Sequence, residues 1–197
     1  MTDQPSWVAP TYQGLAELLT ATPDAWDAPS LCDNWLVRHV VAHVTMPVRL
    51  TPEQFGAGMA AAGGDFTVLS DSVAMRDASL PAADLLDQLR SPGLHAWQPP
   101  GGGAAGALSH AVIHSLDVTV ALDRPAVAPV EARTAVLDQL TAARGSWFGV
   151  DLTGVRLEAT DADWSWGDGR LERADIGSLV ALVSGRALPD GRTLPRG

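Results

Sequence analysis

The hydrophobic pattern of this chain changes after Pro125, and that change limits the folds it can adopt. Upstream, apolar residues recur at helical spacing, as they do over residues 10–20. Downstream, residues 155–160 alternate apolar and polar side chains, which is typical of a half-buried strand. The sequence therefore predicts a mainly α protein with a small α+β part. We place a helical bundle over residues 1–125 and a small α/β domain over residues 126–197.

Four helices are predicted in the first part. They cover residues 10–20, a segment that begins at Trp35, residues 81–89, and residues 104–122. Asp33 or Asn34 can cap the second of these helices, and Pro47 should end it. In the second part we expect a helix over 131–147, strands near 155–160 and 163–169, and a closing helix over 174–184.

Composition excludes several classes of function. The 197 residues are 46% apolar, long enough to bury a substantial core, and the formal net charge is −10. Such a charge repels phosphate backbones and anionic lipid, so neither nucleic acid nor a membrane is an expected partner. Residues 1–6 lack the layout of a secretory signal, and no run of about 18 apolar residues occurs. We therefore expect a soluble, cytoplasmic protein.

A single cysteine, Cys32, excludes an internal disulfide and any multi-cysteine zinc site. The thiol itself admits three interpretations: a nucleophile, a fourth metal ligand, or a small apolar side chain packed near a helix start. The last is favoured because no predicted neighbour lowers the thiol pKa. Metal binding in this chain would depend on imidazoles and carboxylates.

Four of the five histidines form two pairs with a four-residue offset, His39/His43 and His110/His114. On a helix this offset places both imidazoles on one face, close enough to share an ion. Facing helices of a bundle commonly assemble metal ligands, and a catalytic site needs only three protein ligands. Spacing alone leaves open which three bind. Asp117, one turn after His114, either orients that imidazole or lies on the solvent face.

Two segments resemble a known family. Residues 29–43, PSLCDNWLVRHVVAH, are similar to the opening signature of the mycothiol-dependent maleylpyruvate isomerase-like family, within the wider DinB/YfiT-like superfamily. Residues 109–117, SHAVIHSLD, are similar to its second signature, in which two metal ligands precede an aspartate. The resemblance implies a DinB-like four-helix bundle followed by a small C-terminal α/β domain.

The resemblance also implies a particular site. It selects His43, His110 and His114 as ligands of a divalent metal, with zinc favoured and nickel or iron as alternatives. His39 stands where the family often carries an aspartate, so it would support the ligands from behind or lie at the surface. Arg186 would offer a cation to a substrate carboxylate, the alternative being an ordinary surface arginine.

The function implied is a metal- and mycothiol-dependent transferase or isomerase acting on an electrophilic small molecule. Three imidazoles leave a coordination position open for a thiol or water. Two alternatives remain: a metal-dependent hydrolase on the same site, and a non-catalytic protein that binds a metal or a small ligand.

Overall fold

The computed structural model describes residues 7–197. Residues 1–6, on which the prediction of no secretory signal depends, lie outside the described residues. Nine α-helices occur in the described part: α1 Val8–Ala21, α2 Val37–Val44, α3 Pro52–Ala61, α4 Phe66–Asp77, α5 Ala82–Leu89, α6 Pro92–Ala96, α7 Gly103–Thr119, α8 Val130–Ala142 and α9 Ile176–Val183. The strands are β1 Val155–Ala159, β2 Ser165–Gly167 and β3 Arg170–Ala174. The predicted fold class, a helical bundle with a small C-terminal sheet, is confirmed.

Helix α2 is short because both of its ends are fixed locally. It ends at Val44, shortly before Pro47, as the proline predicted. The prediction that Asp33 or Asn34 caps its start is wrong, since the first helical turn is preceded by Leu36. Asn34 adopts a positive φ of 63° and turns the chain before the helix begins. The Leu36 N–H donates instead to His39 Nδ1 at 3.0 Å.

Helices α3, α4 and the short α6 were not predicted from the sequence. Helix α3 has no buried side chain, so it lacks the apolar stripe from which a helix is recognised. Its start is nevertheless marked by a capping box: Thr51 Oγ1 accepts the Gln54 backbone N–H, and Gln54 Oε1 accepts the Thr51 backbone N–H. Asp65 caps α4 in a similar way by accepting from Thr67 and Val68. Helix α4 packs against α2 and thereby reaches the histidines.

The sheet has three strands in the order β2-β1-β3, one more than predicted. β2 is antiparallel to β1 and β3 is parallel to it, so the chain passes around the start of β1 between residues 167 and 170. Gly169 makes this crossing possible. Its φ is 125°, and a Cβ there would collide with the Gly154 carbonyl.

Two large clusters of buried residues make up most of the core. One joins α1, α2, α5 and α7, and the other joins α7, α8, α9 and the sheet. Helix α7 contributes to both, so the second histidine pair lies on the element that connects them. The domain boundary at residue 125 stays a prediction. Within residues 7–197, every helix is too short or too polar to span a lipid bilayer.

Candidate metal centre

Helices α2 and α7 bring three histidines together. His110 and His114 share one face of α7, and His43 lies near the end of α2, which packs against α7. The ring centroids are 4.7 to 5.2 Å apart. The Nε2 atoms of His43 and His110 are separated by 3.3 Å. One ring nitrogen from each histidine lies within 4.8 Å of the others, a spacing that suits a shared ion.

Each of these imidazoles has an oxygen at Nδ1. His43 Nδ1 lies 2.9 Å from Ser70 Oγ, His110 Nδ1 lies 2.8 Å from Tyr12 Oη, and His114 Nδ1 lies 2.8 Å from Asp117 Oδ2. Histidine ligands in metal sites almost always donate their second ring N–H to such an oxygen. The Nδ1 atoms are therefore engaged by these oxygens, and the three Nε2 atoms remain available to bind one shared ion.

The donor set fits a divalent cation. If both Nδ1 atoms donate outward, the Nε2 lone pairs of His43 and His110 face each other at 3.3 Å with no proton between them. A cation there satisfies both lone pairs, whereas without one an imidazole must turn a proton inward. Burial lowers the pKa of His43 and His110 well below the ordinary value, and neighbouring imidazoles lower it further. Both rings are thus neutral at pH 7, the form that binds metal.

Asp117 fixes the orientation of His114 and is itself held by Arg186. The carboxylate is only 1% exposed and accepts from Arg186 Nε at 2.8 Å and Nη2 at 3.0 Å. Burial alone would raise the pKa of Asp117, but the Arg186 charge and the donated hydrogen bonds hold it well below its usual range. Asp117 is therefore an anion that keeps His114 Nδ1 protonated.

Arg186 is largely engaged within the protein. Besides its two bonds to Asp117, its Nη1 donates to the Ser184 carbonyl at 2.9 Å, and the side chain is 17% exposed. The interpretation as an ordinary surface arginine does not fit this environment. The contact between Arg186 and a substrate carboxylate stays a prediction. The guanidinium that would make this contact is already paired with the Asp117 carboxylate.

Cys32 lies beside this ion pair. Its Sγ is 3.1 Å from Asp117 Oδ2 and donates to that oxygen. Burial raises the pKa of the Cys32 thiol, and the Asp117 charge raises it further, so the group stays a thiol at neutral pH. Cys32, His114 and Asp117 also lie close enough to hold an ion. However, Asp117 already has Arg186 as its counter-charge, so the three-histidine group is the better candidate.

The structure does not bring His39 into the three-histidine group. Its Nδ1 accepts the Leu36 N–H at the start of α2, where it completes the helix cap. Sequence reasoning also missed Tyr12 and Ser70. Tyr12 is a buried residue of α1, and Ser70 lies on the unpredicted α4. No local pattern marks either residue, because their contacts with His110 and His43 arise only from helix packing.

A cavity of about 250 Å³ lies beside the histidines. His43 and His114 form part of its wall together with Trp35, Phe66 and Arg186. Asp33 and Asp71 also line it. A small molecule in this cavity would therefore meet two of the three imidazoles.

The fold and the three converging imidazoles define a helical-bundle protein with a candidate metal centre. Residues 8–97 match the family model described as the mycothiol maleylpyruvate isomerase N-terminal domain. Over these residues the chain is similar to this domain, and the family resemblance stated from its sequence is confirmed.

Solved structures extend the fold comparison to the whole chain. A crystal structure of a histidine-to-alanine mutant of the mycothiol-dependent maleylpyruvate isomerase is 15% identical, with a TM-score of 0.54 and coverage of 99% of this chain and 98% of that one. A second structure of the mycothiol-dependent maleylpyruvate isomerase is 13% identical over the same shares, with a TM-score of 0.47. The first shows that both chains share a fold. No match was found among curated proteins.

Proposed function

We propose that this protein is a metal- and mycothiol-dependent transferase or isomerase. The observation that carries the proposal is the arrangement of His43, His110 and His114: each Nδ1 meets an oxygen, so the Nε2 atoms are free to bind a shared ion. Three neutral ligands leave a coordination position open, as catalytic sites require. The N-terminal domain match, residues 8–97, supports mycothiol as the thiol.

Zinc is the favoured metal, because a set of three imidazoles without thiolate suits zinc well and also accepts nickel or iron. A divalent ion in this position would supply Lewis acidity and lower the pKa of a thiol or water bound to it. The remaining tasks belong to side chains of this chain.

Asp117 holds the Nδ1 proton of His114, and Arg186 keeps Asp117 ionised while it does so. Tyr12 and Ser70 fix the other two rings. Trp35 and Phe66 contribute apolar surface to the cavity beside His43. Cys32 remains protonated, so it does not compete with the small-molecule thiol as nucleophile.

The test is turnover of an activated electrophile by the metal-loaded protein, with and without mycothiol. The proposal expects turnover that requires mycothiol and is lost in His110→Ala, while the matched variant His39→Ala keeps it. Turnover without any thiol would identify a hydrolase and overturn the transferase or isomerase assignment. Metal retention with no turnover of any electrophile would favour a non-catalytic binding protein.

A further inference from the structure

Arg49 is a mostly buried cation in the segment between α2 and α3, and its side chain is 14% exposed. A guanidinium removed from water is costly unless hydrogen bonds and an opposite charge compensate for the loss. Its Nε donates to Asp77 Oδ2 at 2.9 Å, and its Nη1 donates to Thr45 Oγ1 and Gln88 Oε1 at 2.6 Å. Its Nη2 donates to the Ala42 carbonyl. These partners belong to α2 and its end, α4 and α5, so one side chain joins three helices.

The bonds from Arg49 to α2 hold the turn that carries His43. The Ala42 carbonyl directly precedes His43 and is one of the last carbonyls of α2, which have no partner within the helix. Thr45, just past the end of α2, accepts from Arg49 and itself donates to the Val41 carbonyl at 2.7 Å. A cation at this end is also favoured by the helix dipole. Arg49 therefore fixes the backbone on both sides of His43.

The bond from Arg49 to Asp77 fixes α4 at the same point. Ser70 and Asp77 are about two helical turns apart, so they share one face of α4, and both are buried. Ser70 Oγ lies 2.9 Å from His43 Nδ1, and Asp77 pairs with Arg49. The ion pair therefore sets how α4 lies along α2, and with it the position of Ser70 against the His43 ring.

Apolar packing leaves much of this task to polar contacts. Leu69 and Val73, the large apolar side chains that α4 buries, pack with Met46 in a small cluster apart from the two large ones. A second arginine, Arg38, also joins the two helices, since it donates to the Ala78 carbonyl at 3.0 Å. It lies in the first turn of α2, however, and does not bond the turn that carries the histidine.

We propose that Arg49 is a positioning residue of the candidate metal centre. It holds the last turn of α2 against α4, so that His43 keeps its bond to Ser70 and turns its Nε2 toward the shared ion. This inference rests on the metal centre of the proposed function. Arg49 acts on the ion only through the His43 ring. A purely structural role would instead lower the stability of the protein and leave the centre unchanged.

Zinc affinity of the folded protein is the first test, measured by chelator competition. Arg49→Met removes the guanidinium but keeps most of the length of the side chain, and we expect zinc affinity to fall by about tenfold, as when groups that orient a ligand are lost. Arg49→Lys should restore only part of this affinity, because an ammonium keeps the charge but cannot make the forked set of bonds. If Arg49→Met fails to fold, Asp77→Asn replaces it, since it breaks the same ion pair.

Two control variants separate position from stability. Leu140→Ala weakens the other large cluster, and Arg38→Met removes the arginine at the far end of α2. Both should bind zinc as tightly as the unaltered protein. An unchanged zinc affinity in Arg49→Met, or an equal loss in either control, would overturn the proposal.

The ring nitrogens of His43 give a second readout that needs no metal. In nuclear magnetic resonance spectra of the metal-free protein, Arg49→Met should move the His43 ring resonances in the same direction as Ser70→Ala does. The ring of His95, which contacts the Leu89 carbonyl, is the internal reference and should not change. His43 resonances that match those of the unaltered protein would contradict a positioning role.

Turnover separates this inference from the proposed function. If the unaltered protein shows mycothiol-dependent turnover while Arg49→Met keeps its zinc affinity and its His43 resonances, the inference falls and the function stands. If Arg49→Met loses affinity but the unaltered protein turns over no electrophile, the positioning role stands and the function falls. An unaltered protein that binds no zinc would remove both.

Discussion

Replacing Asp117 by asparagine removes the counter-charge of Arg186 without changing the shape of the side chain. Asp117 is 1% exposed and Arg186 is 17% exposed, so the variant leaves a mostly buried guanidinium beside a neutral amide. Breaking a buried ion pair in this way costs about 3 to 5 kcal/mol. We expect the lower end, about 3 kcal/mol, because Arg186 retains some access to water and its bond to the Ser184 carbonyl.

Urea unfolding of the metal-free protein at neutral pH measures this loss. Thermal unfolding is a second measure of the same loss. In a chain of this size each kcal/mol of stability shifts the melting temperature by about 2 to 4 °C, so Asp117→Asn should melt roughly 6 to 12 °C lower. Asp168→Asn, at an exposed aspartate, is the matched control and should stay within about 0.5 kcal/mol of the unaltered protein.

A double-mutant cycle shows whether the loss comes from the pair. Asp117→Asn combined with Arg186→Met removes both charges, so the double variant should be more stable than the two separate losses would predict, by up to about 3 kcal/mol. Strictly additive losses, or a single variant as stable as the control, would refute the reasoning that the buried pair fixes Asp117 and through it His114.

Three other predictions concern the site and the core. Tyr12→Phe and Ser70→Ala each remove an oxygen at an Nδ1 atom and should lower metal affinity at least about tenfold in a chelator competition. The metal-free protein should lose stability as pH falls below about 6.5, because the unfolded chain then binds protons that the buried His43 and His110 rings do not. The free energy of unfolding should fall by up to about 1.4 kcal/mol per pH unit for each of these two histidines, and urea unfolding at two pH values measures this fall. Leu140→Ala should cost about 2 to 5 kcal/mol in the same assay, as deletions in buried helix faces do.

The second histidine pair could be placed from sequence because its geometry is local. An offset of four residues on one helix fixes His110 and His114 on a common face whatever else the chain does. The first pair has the same offset, yet only His43 reaches the group. The difference arises at the start of α2, where His39 accepts the Leu36 N–H, and no spacing rule reveals it.

The partners of the three rings could not be predicted, because they come from distant parts of the chain. Tyr12 is separated from His110 by 98 residues, and Ser70 from His43 by 27. Ser70 also lies on a helix whose apolar pattern is too weak to identify. Strand β3 was missed for a related reason. Arg170–Ala174 pairs with β1 by a crossing that depends on Gly169, and its apolar alternation is broken because Glu172 is buried while Leu171 is exposed.

Metal content tests the central claim most directly. Protein purified without an affinity tag or added metal is analysed for zinc, nickel and iron by elemental analysis. We predict about one equivalent in the unaltered protein and in His39→Ala, and loss of the ion in His43→Ala, His110→Ala and His114→Ala. Retention of the ion in folded forms of the latter three variants, or its absence from the unaltered protein, would contradict the account.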